Sequence, residues 1–269
     1  YEELIMESGV PSEIKEEAGW KLVSGDVFRT PQSPIALAVR VGSGVQIILT
    51  TMVTVFFAMI GFLSPASRGS LVTALLVLYL LLASSAGFVS VWLSGIMMRT
   101  HAGWRGLCWR VSTYFPGIVF LVFTSINILI KHTGSTGAVP LQTFFSILTL
   151  WFLVSIPLTF VGGYFATKLT IIDYPARTNQ IPRHIPKPPL TTHPVSLFAI
   201  AGLLPFGTLF IELYFIMTSL WMGFFYYLFG YLFIIGLLTF IVTVEVAVLC
   251  TYVQLCAEDY RWWWYSVGV

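Results

Sequence analysis

The stretch Phe224–Tyr252, FFYYLFGYLFIIGLLTFIVTVEVAVLCTY, decides the fold. It carries one charged residue, Glu245. A membrane-crossing helix needs about 20 mostly apolar residues. As a helix this run would be about 43 Å long, more than the roughly 30 Å hydrocarbon core, so it must tilt or project. Immediately before it, Val195–Trp221 is a second such run, broken only by Glu212. Further back, Leu37–Leu63, Leu71–Met97, Val111–Ile130 and Leu141–Ala166 also qualify. Composition agrees. The chain is 57% hydrophobic and only 10% charged, against about 25% charged in ordinary soluble domains. Its mean hydropathy is +0.86. A globule of this size cannot hide so much apolar surface from water. The expected fold class is therefore all-α, a polytopic transmembrane helical bundle with six visible spans and no sizeable water-soluble domain.

The basic residues set the expected orientation. Of 14 lysines and arginines, only Arg68 and Lys131 fall on one side of the six spans. The others fall on the opposite side, which the positive-inside rule assigns to the cytosol. On this reading residues 1–36 are a cytosolic lead-in and 37–260 the transmembrane bundle. Residues 168–194 form a proline-rich cytosolic loop, and 261–269 a tryptophan-rich cytosolic end. The lead-in is amphipathic, with Glu13, Lys15, Glu16 and Glu17 before Trp20, which is compatible with a short interfacial helix. The loop 168–194 carries Pro175, Pro182, Pro186, Pro188, Pro189 and Pro194, and proline fixes φ and removes a donor. It should be extended and stiff. It serves either as a basic linker near anionic lipid or as a docking strap. Trp221 and Phe224–Tyr227 form an aromatic cluster suited to headgroup level, or alternatively to a buried core.

Two carboxylates, Glu212 and Glu245, lie inside spans. A charge there is costly, so each must be protonated, paired or facing a polar interior. They are candidates for proton coupling or a polar ligand site, with a structural interhelical hydrogen bond as the plainer account. In a tight hairpin they would differ in height by roughly 18 Å, too far for contact. Helix breakers cluster at Pro116-Gly117, Pro157, Gly162-Gly163 and Gly202/Pro205/Gly207, either as broken helices facing a substrate or as tolerated kinks. Ala83, Gly87 and Ser90, followed by Ser94, form a small-residue face suited to close helix packing or to contact with another protein's span.

Other chemistry is sparse. The three cysteines are too few for a disulfide framework. Cys250 and Cys256 sit on different helix faces and make a poor metal pair. No phosphate loop, HExxH or nucleophile elbow occurs, so neither an enzyme nor a cofactor is expected. A net charge of +2 gives no case for nucleic acid.

Several strings resemble the nonaspanins, the transmembrane 9 superfamily. Gly19-Trp20-Lys21-Leu22-Val23-Ser24-Gly25-Asp26-Val27-Phe28-Arg29 is similar to the segment before that family's multi-span region. Gly42-Ser43-Gly44-Val45-Gln46, Gly61-Phe62-Leu63-Ser64-Pro65 and Phe115-Pro116-Gly117 follow in family order. So do Arg177-Thr178-Asn179-Gln180-Ile181-Pro182-Arg183, Leu204-Pro205-Phe206-Gly207 and Cys256-Ala257-Glu258-Asp259-Tyr260. The resemblance implies a nine-span protein of which this chain looks like spans two to seven. The luminal domain and coat-binding C-terminal tail would lie outside it. It also implies Golgi and endosomal membranes, with cargo membrane proteins, lipids and sorting or coat machinery as partners. Three readings follow: a trafficking factor for other membrane proteins, a transporter or channel using the intramembrane carboxylates, and a passive scaffold.

Overall fold

The computed structural model describes residues 21, 23–62, 69–134, 137–186, 194–223 and 225–268. Regular structure among them is entirely helical. The helices are α1 (Pro34–Met59), α2 (Ser70–Leu81), α3 (Ala83–Met98), α4 (Trp104–His132), α5 (Leu141–Leu150), α6 (Ile156–Thr167), α7 (Pro194–Trp221), α8 (Phe225–Cys256) and α9 (Trp262–Gly268). Five segments are long and apolar enough to cross a membrane: Pro34–Met59, Trp104–His132, Leu141–Thr167, Ser196–Trp221 and Leu228–Cys256. The pair α2–α3, bent by 40°, makes a sixth when counted as one span. The lead-in up to residue 20 and the short loop 63–68 lie outside the described residues. So do 187–193, and with them part of the loop 168–194.

The chain divides into two compact units. One comprises Ser33–Ile172 with Phe225–Phe233 and holds α1 to α6. Its most extensive helix pairing is α3 on α6, followed by α1 on α3. Small residues make this possible. A Cβ on Gly87 would fall on the Thr159 carbonyl, and one on Gly162 on the Ser84 carbonyl, well inside contact distance. The two backbones therefore touch, the mode of close approach that small residues permit in lipid.

The interior of this unit mixes hydroxyls with aliphatic side chains such as Leu37, Val91, Met97 and Val111. Ser43, Gln46, Thr50 and Thr54 form one buried stripe along α1, which packs on α3; Ser90 and Ser94 are buried on α3, and Ser155 and Thr159 are buried near the start of α6, which also packs on α3. Most of these hydroxyls return a proton to their own helix, as Thr50 does to Gln46 (2.7 Å) and Thr159 to Ser155 (2.9 Å). That satisfies them without water. Gln46 Nε2 reaches across to the Tyr79 carbonyl at 2.8 Å.

Two of the helix breakers have a local solution. Pro116 sits inside α4 without ending it. The carbonyl it orphans four residues back, that of Ser112, accepts the Trp151 indole N–H at 3.0 Å. Pro157 follows a single π-helical turn, Trp151–Ser155, which joins α5 to α6 and absorbs the missing donor. The span expected at 71–97 is not straight: it bends at Leu82, just before Ser84-Ser85, and the Ser85 hydroxyl bonds the Leu82 carbonyl at 2.7 Å. The span expected at 111–130 begins earlier, at Trp104, so Arg105 and Arg110 stand on helix rather than loop.

The second unit comprises the described parts of Tyr1–Gln32, Asp173–Phe224 and Ile234–Val269. Leu197 and Ala201 of α7 pack on Cys250 of α8, with Val246, Val253 and Tyr265 around them. The Phe198 ring stacks on Tyr265 at 5.8 Å, which seats α9 at the base of the α7–α8 pair. Trp221, at the far end of α7, is 94% exposed, which removes it from any buried aromatic core.

Candidate functional site

Three sequence-distant strings meet in the second unit. Lys21 and Val23 have helical backbone, and residues 24–28 form the turns that follow. Within them Asp26 is buried and bonds the Arg29 guanidinium at 2.5 Å. Its other oxygen accepts the Arg183 backbone N–H at 3.3 Å. Arg29 extends to the Asn179 carbonyl (2.8 Å), and the Asn179 N–H returns a bond to the Gly25 carbonyl (3.1 Å). A Cβ on Gly25 would stand 2.6 Å from the Asn179 side-chain nitrogen, so that exposed amide would have to swing aside. The Phe28 ring stacks on Tyr174 at 4.5 Å. The strap 173–186 thus lies extended against the lead-in, tied by backbone and charged side chains together.

The third string closes the knot. Arg183 Nη2 bonds Glu258 Oε2 at 2.8 Å. Glu258 follows the end of α8 with φ of 61°, the left-handed position that glycine usually fills at a helix C-terminus. The N–H of Asp259 bonds the Gln254 carbonyl and that of Glu258 the Leu255 carbonyl, the paired bonds of a Schellman ending. Burial alone would raise the Asp259 carboxyl, but Arg261, bonded to it at 3.0 Å, holds it below the ordinary range. The Arg29 guanidinium lies over the Tyr260 ring, 5.8 Å from its centre.

The tryptophan-rich end has a defined role. Successive indole N–H groups of Trp262, Trp263 and Trp264 donate to the carbonyls of Val27, Arg29 and Gln32 at 2.8, 3.1 and 2.7 Å. A ladder of three indoles clamps the lead-in onto α9. Beside it lies a groove of about 400 Å³ with walls of Pro31, Pro182, Tyr260, Trp263 and Trp264.

The residues singled out from the sequence are distributed as follows. Asn179, Pro182 and Arg183 belong to the knot, whereas the side chains of Arg177, Thr178 and Gln180 are exposed beside it. Ala83, Gly87 and Ser90 are buried against neighbouring helices. α6 covers Gly87 and α1 covers Ser90, so this face offers no surface for another protein's span. Glu212 is half-buried and Glu245 exposed on α8. Among the described residues neither carboxylate forms an ion pair or side-chain hydrogen bond, and no group of three metal-ligating side chains occurs. Sequence reading missed the polar stripe of α1, although Ser43, Gln46, Thr50 and Thr54 recur at helical spacing within an apolar run. It also missed the tryptophan clamp, whose partners are backbone atoms more than 200 positions away.

Long apolar helices around an interior that mixes hydroxyls with aliphatic side chains define an integral membrane protein of the multi-span helical class. The chain belongs to the Endomembrane protein 70 family, whose model matches residues 1–269. It is 50% identical over 269 residues to Transmembrane 9 superfamily member 11 of Arabidopsis thaliana, covering 99% of this chain and 40% of that protein. It is 49% identical over 266 residues to member 12 of the same plant, covering 98% of this chain and 40% of that protein. Against member 2 of Mus musculus it is 44% identical over 259 residues, covering 94% of this chain and 38% of the relative. The chain therefore spans about two fifths of the length of these relatives. No solved structure matches it.

Proposed function

We propose that this protein helps sort other membrane proteins in Golgi and endosomal membranes, by lateral contact between its spans and those of cargo, and not by enzymatic chemistry. The observation that supports this reading is the outer face of α7. Only 6% of its most apolar window is buried, and Phe206, Phe210 and Tyr214 stand exposed along it. Gly202 and Gly207 bracket Pro205 there, and nothing lies within 4 Å of where either Cβ would be. Flat, backbone-exposing positions flanked by large rings suit the packing of a second helix in lipid. The knot fixes the base of this helix while its middle stays uncovered within the unit. Gly202→Leu with Gly207→Leu should lower co-purification of a cargo span about tenfold, the equivalent of one to two kcal/mol of packing. The melting temperature should not change. Undiminished capture in a folded double variant would refute the reading.

A second reading, transport of a proton or small solute, draws on Glu212 and Glu245 lying in apolar helices without a described protein partner. It predicts that Glu245→Gln abolishes pH-dependent flux in proteoliposomes. Wild-type flux no greater than that of empty liposomes would dispose of it.

A further inference from the structure

We propose that a cavity in the first unit, between the starts of α1 and α4, is a binding site for the headgroup of an anionic phospholipid. The cavity is an open groove of about 620 Å³, within the usual volume range of small-molecule sites. Two guanidiniums line it, Arg40 from the second turn of α1 and Arg110 from the second turn of α4. Both helices enter the membrane here. Each arginine stands roughly 9 Å along its helix, at the depth where headgroups give way to acyl chains.

The charge of Arg110 at that depth needs an anion. Among the described residues none forms an ion pair with Arg110. A phosphate offers the planar guanidinium two oxygens at once, the geometry arginine matches best. The remaining lining is amphipathic in the same sense as a lipid. Ile35 and Val39 form an apolar wall, and beyond it Ile118 and Val119 are exposed on the outer side of α4, where an acyl chain would run. Tyr114 supplies a ring of the kind that settles at headgroup level. The Thr113 hydroxyl already donates to the Trp109 carbonyl at 2.8 Å, so it can only accept a bond, as from a sugar-like hydroxyl on the headgroup. Basic pockets between spans on the cytosolic side are where anionic lipid heads bind. The charge distribution places this end of the helices there.

Native mass spectrometry of the full chain, purified in detergent and titrated with defined lipids, tests the assignment. Phosphatidylinositol should be retained at one equivalent, about tenfold better than phosphatidylcholine. Arg110→Gln should remove most of that preference, and Arg40→Lys with Arg110→Lys should keep part of it. Should Arg110→Gln not fold, Thr113→Leu keeps both arginines and fills the cavity, and it should expel the lipid equally. Equal retention of the two lipids would overturn the proposal, as would retention that ignores the folded variants. Competition by glycerophosphoinositol or inorganic phosphate at the same concentration as the lipid would mark a site for soluble phosphates, and the lipid assignment would fall.

Discussion

Glu258 occupies a backbone position that glycine would fill without strain. Its φ of 61° costs a non-glycine residue about 1 kcal/mol, and what it gains is the ion pair to Arg183. The two effects can be separated. Glu258→Gly relieves the backbone but frees the strap, so global stability should change by less than about 1 kcal/mol while hydrogen exchange at 179–183 accelerates. Unchanged exchange there would show that the strap is held without Glu258. The neighbouring pair Asp259–Arg261 has a pH signature. The Asp259 carboxyl titrates below its ordinary value, so it contributes stability above the usual aspartate pKa near 3.9 and loses it as pH falls through its own lower value. Asp259→Asn should therefore cost about 0.5–1 kcal/mol at pH 7, a cost that shrinks as pH falls through the lowered Asp259 value. Melting curves across that range provide the check. None of this was legible beforehand. The string Cys256–Tyr260 could be matched to a family, but a helix ending with glutamate in the left-handed position carries no local sequence signal.

At the scale of the element, the helices follow from hydropathy alone, because lipid leaves backbone groups no partner but their own helix. Their ends and bends do not. Pro116 reads as an opening break and is instead an interior proline whose orphaned carbonyl is met by Trp151. The bend at Leu82 has no proline at all. Glycines read alike in sequence yet divide sharply in the fold. Gly87 and Gly162 are where α3 and α6 touch backbone to backbone, whereas Gly44 on α1 faces open space. Gly87→Ala should thus cost about 3 kcal/mol or more, because its methyl group falls on a carbonyl that cannot withdraw. Gly44→Ala should be neutral or stabilising by up to about 1 kcal/mol. Thermal melts of the two variants in the same detergent decide the matter, and equal melting temperatures would contradict the packing described.

At the scale of the whole molecule, the membrane class and the helical fold were legible because they depend on bulk hydropathy, a sum over many residues. The knot was not, because it depends on pairings between positions up to 235 apart. Strings that looked like separate family marks are parts of one structure: residues 25–29 bind 179–183, which bind 258, and 262–264 bind 27–32. The clamp of three indoles is the link that can be removed without touching a charge. Replacing Trp262, Trp263 and Trp264 together by phenylalanine keeps the rings and deletes the donors. Each bond is worth about 0.5–1.5 kcal/mol net, so the lead-in should be loosened by roughly 2–4 kcal/mol. Hydrogen exchange and protease cleavage at 27–32 should rise by a factor of at least about 30, while exchange within α3 and α6 stays at the wild-type rate. Protection of 27–32 that survives the triple substitution would mean that Asp26, Arg29 and the strap hold the lead-in alone, and that the tryptophans serve only to seat α9 on Phe198.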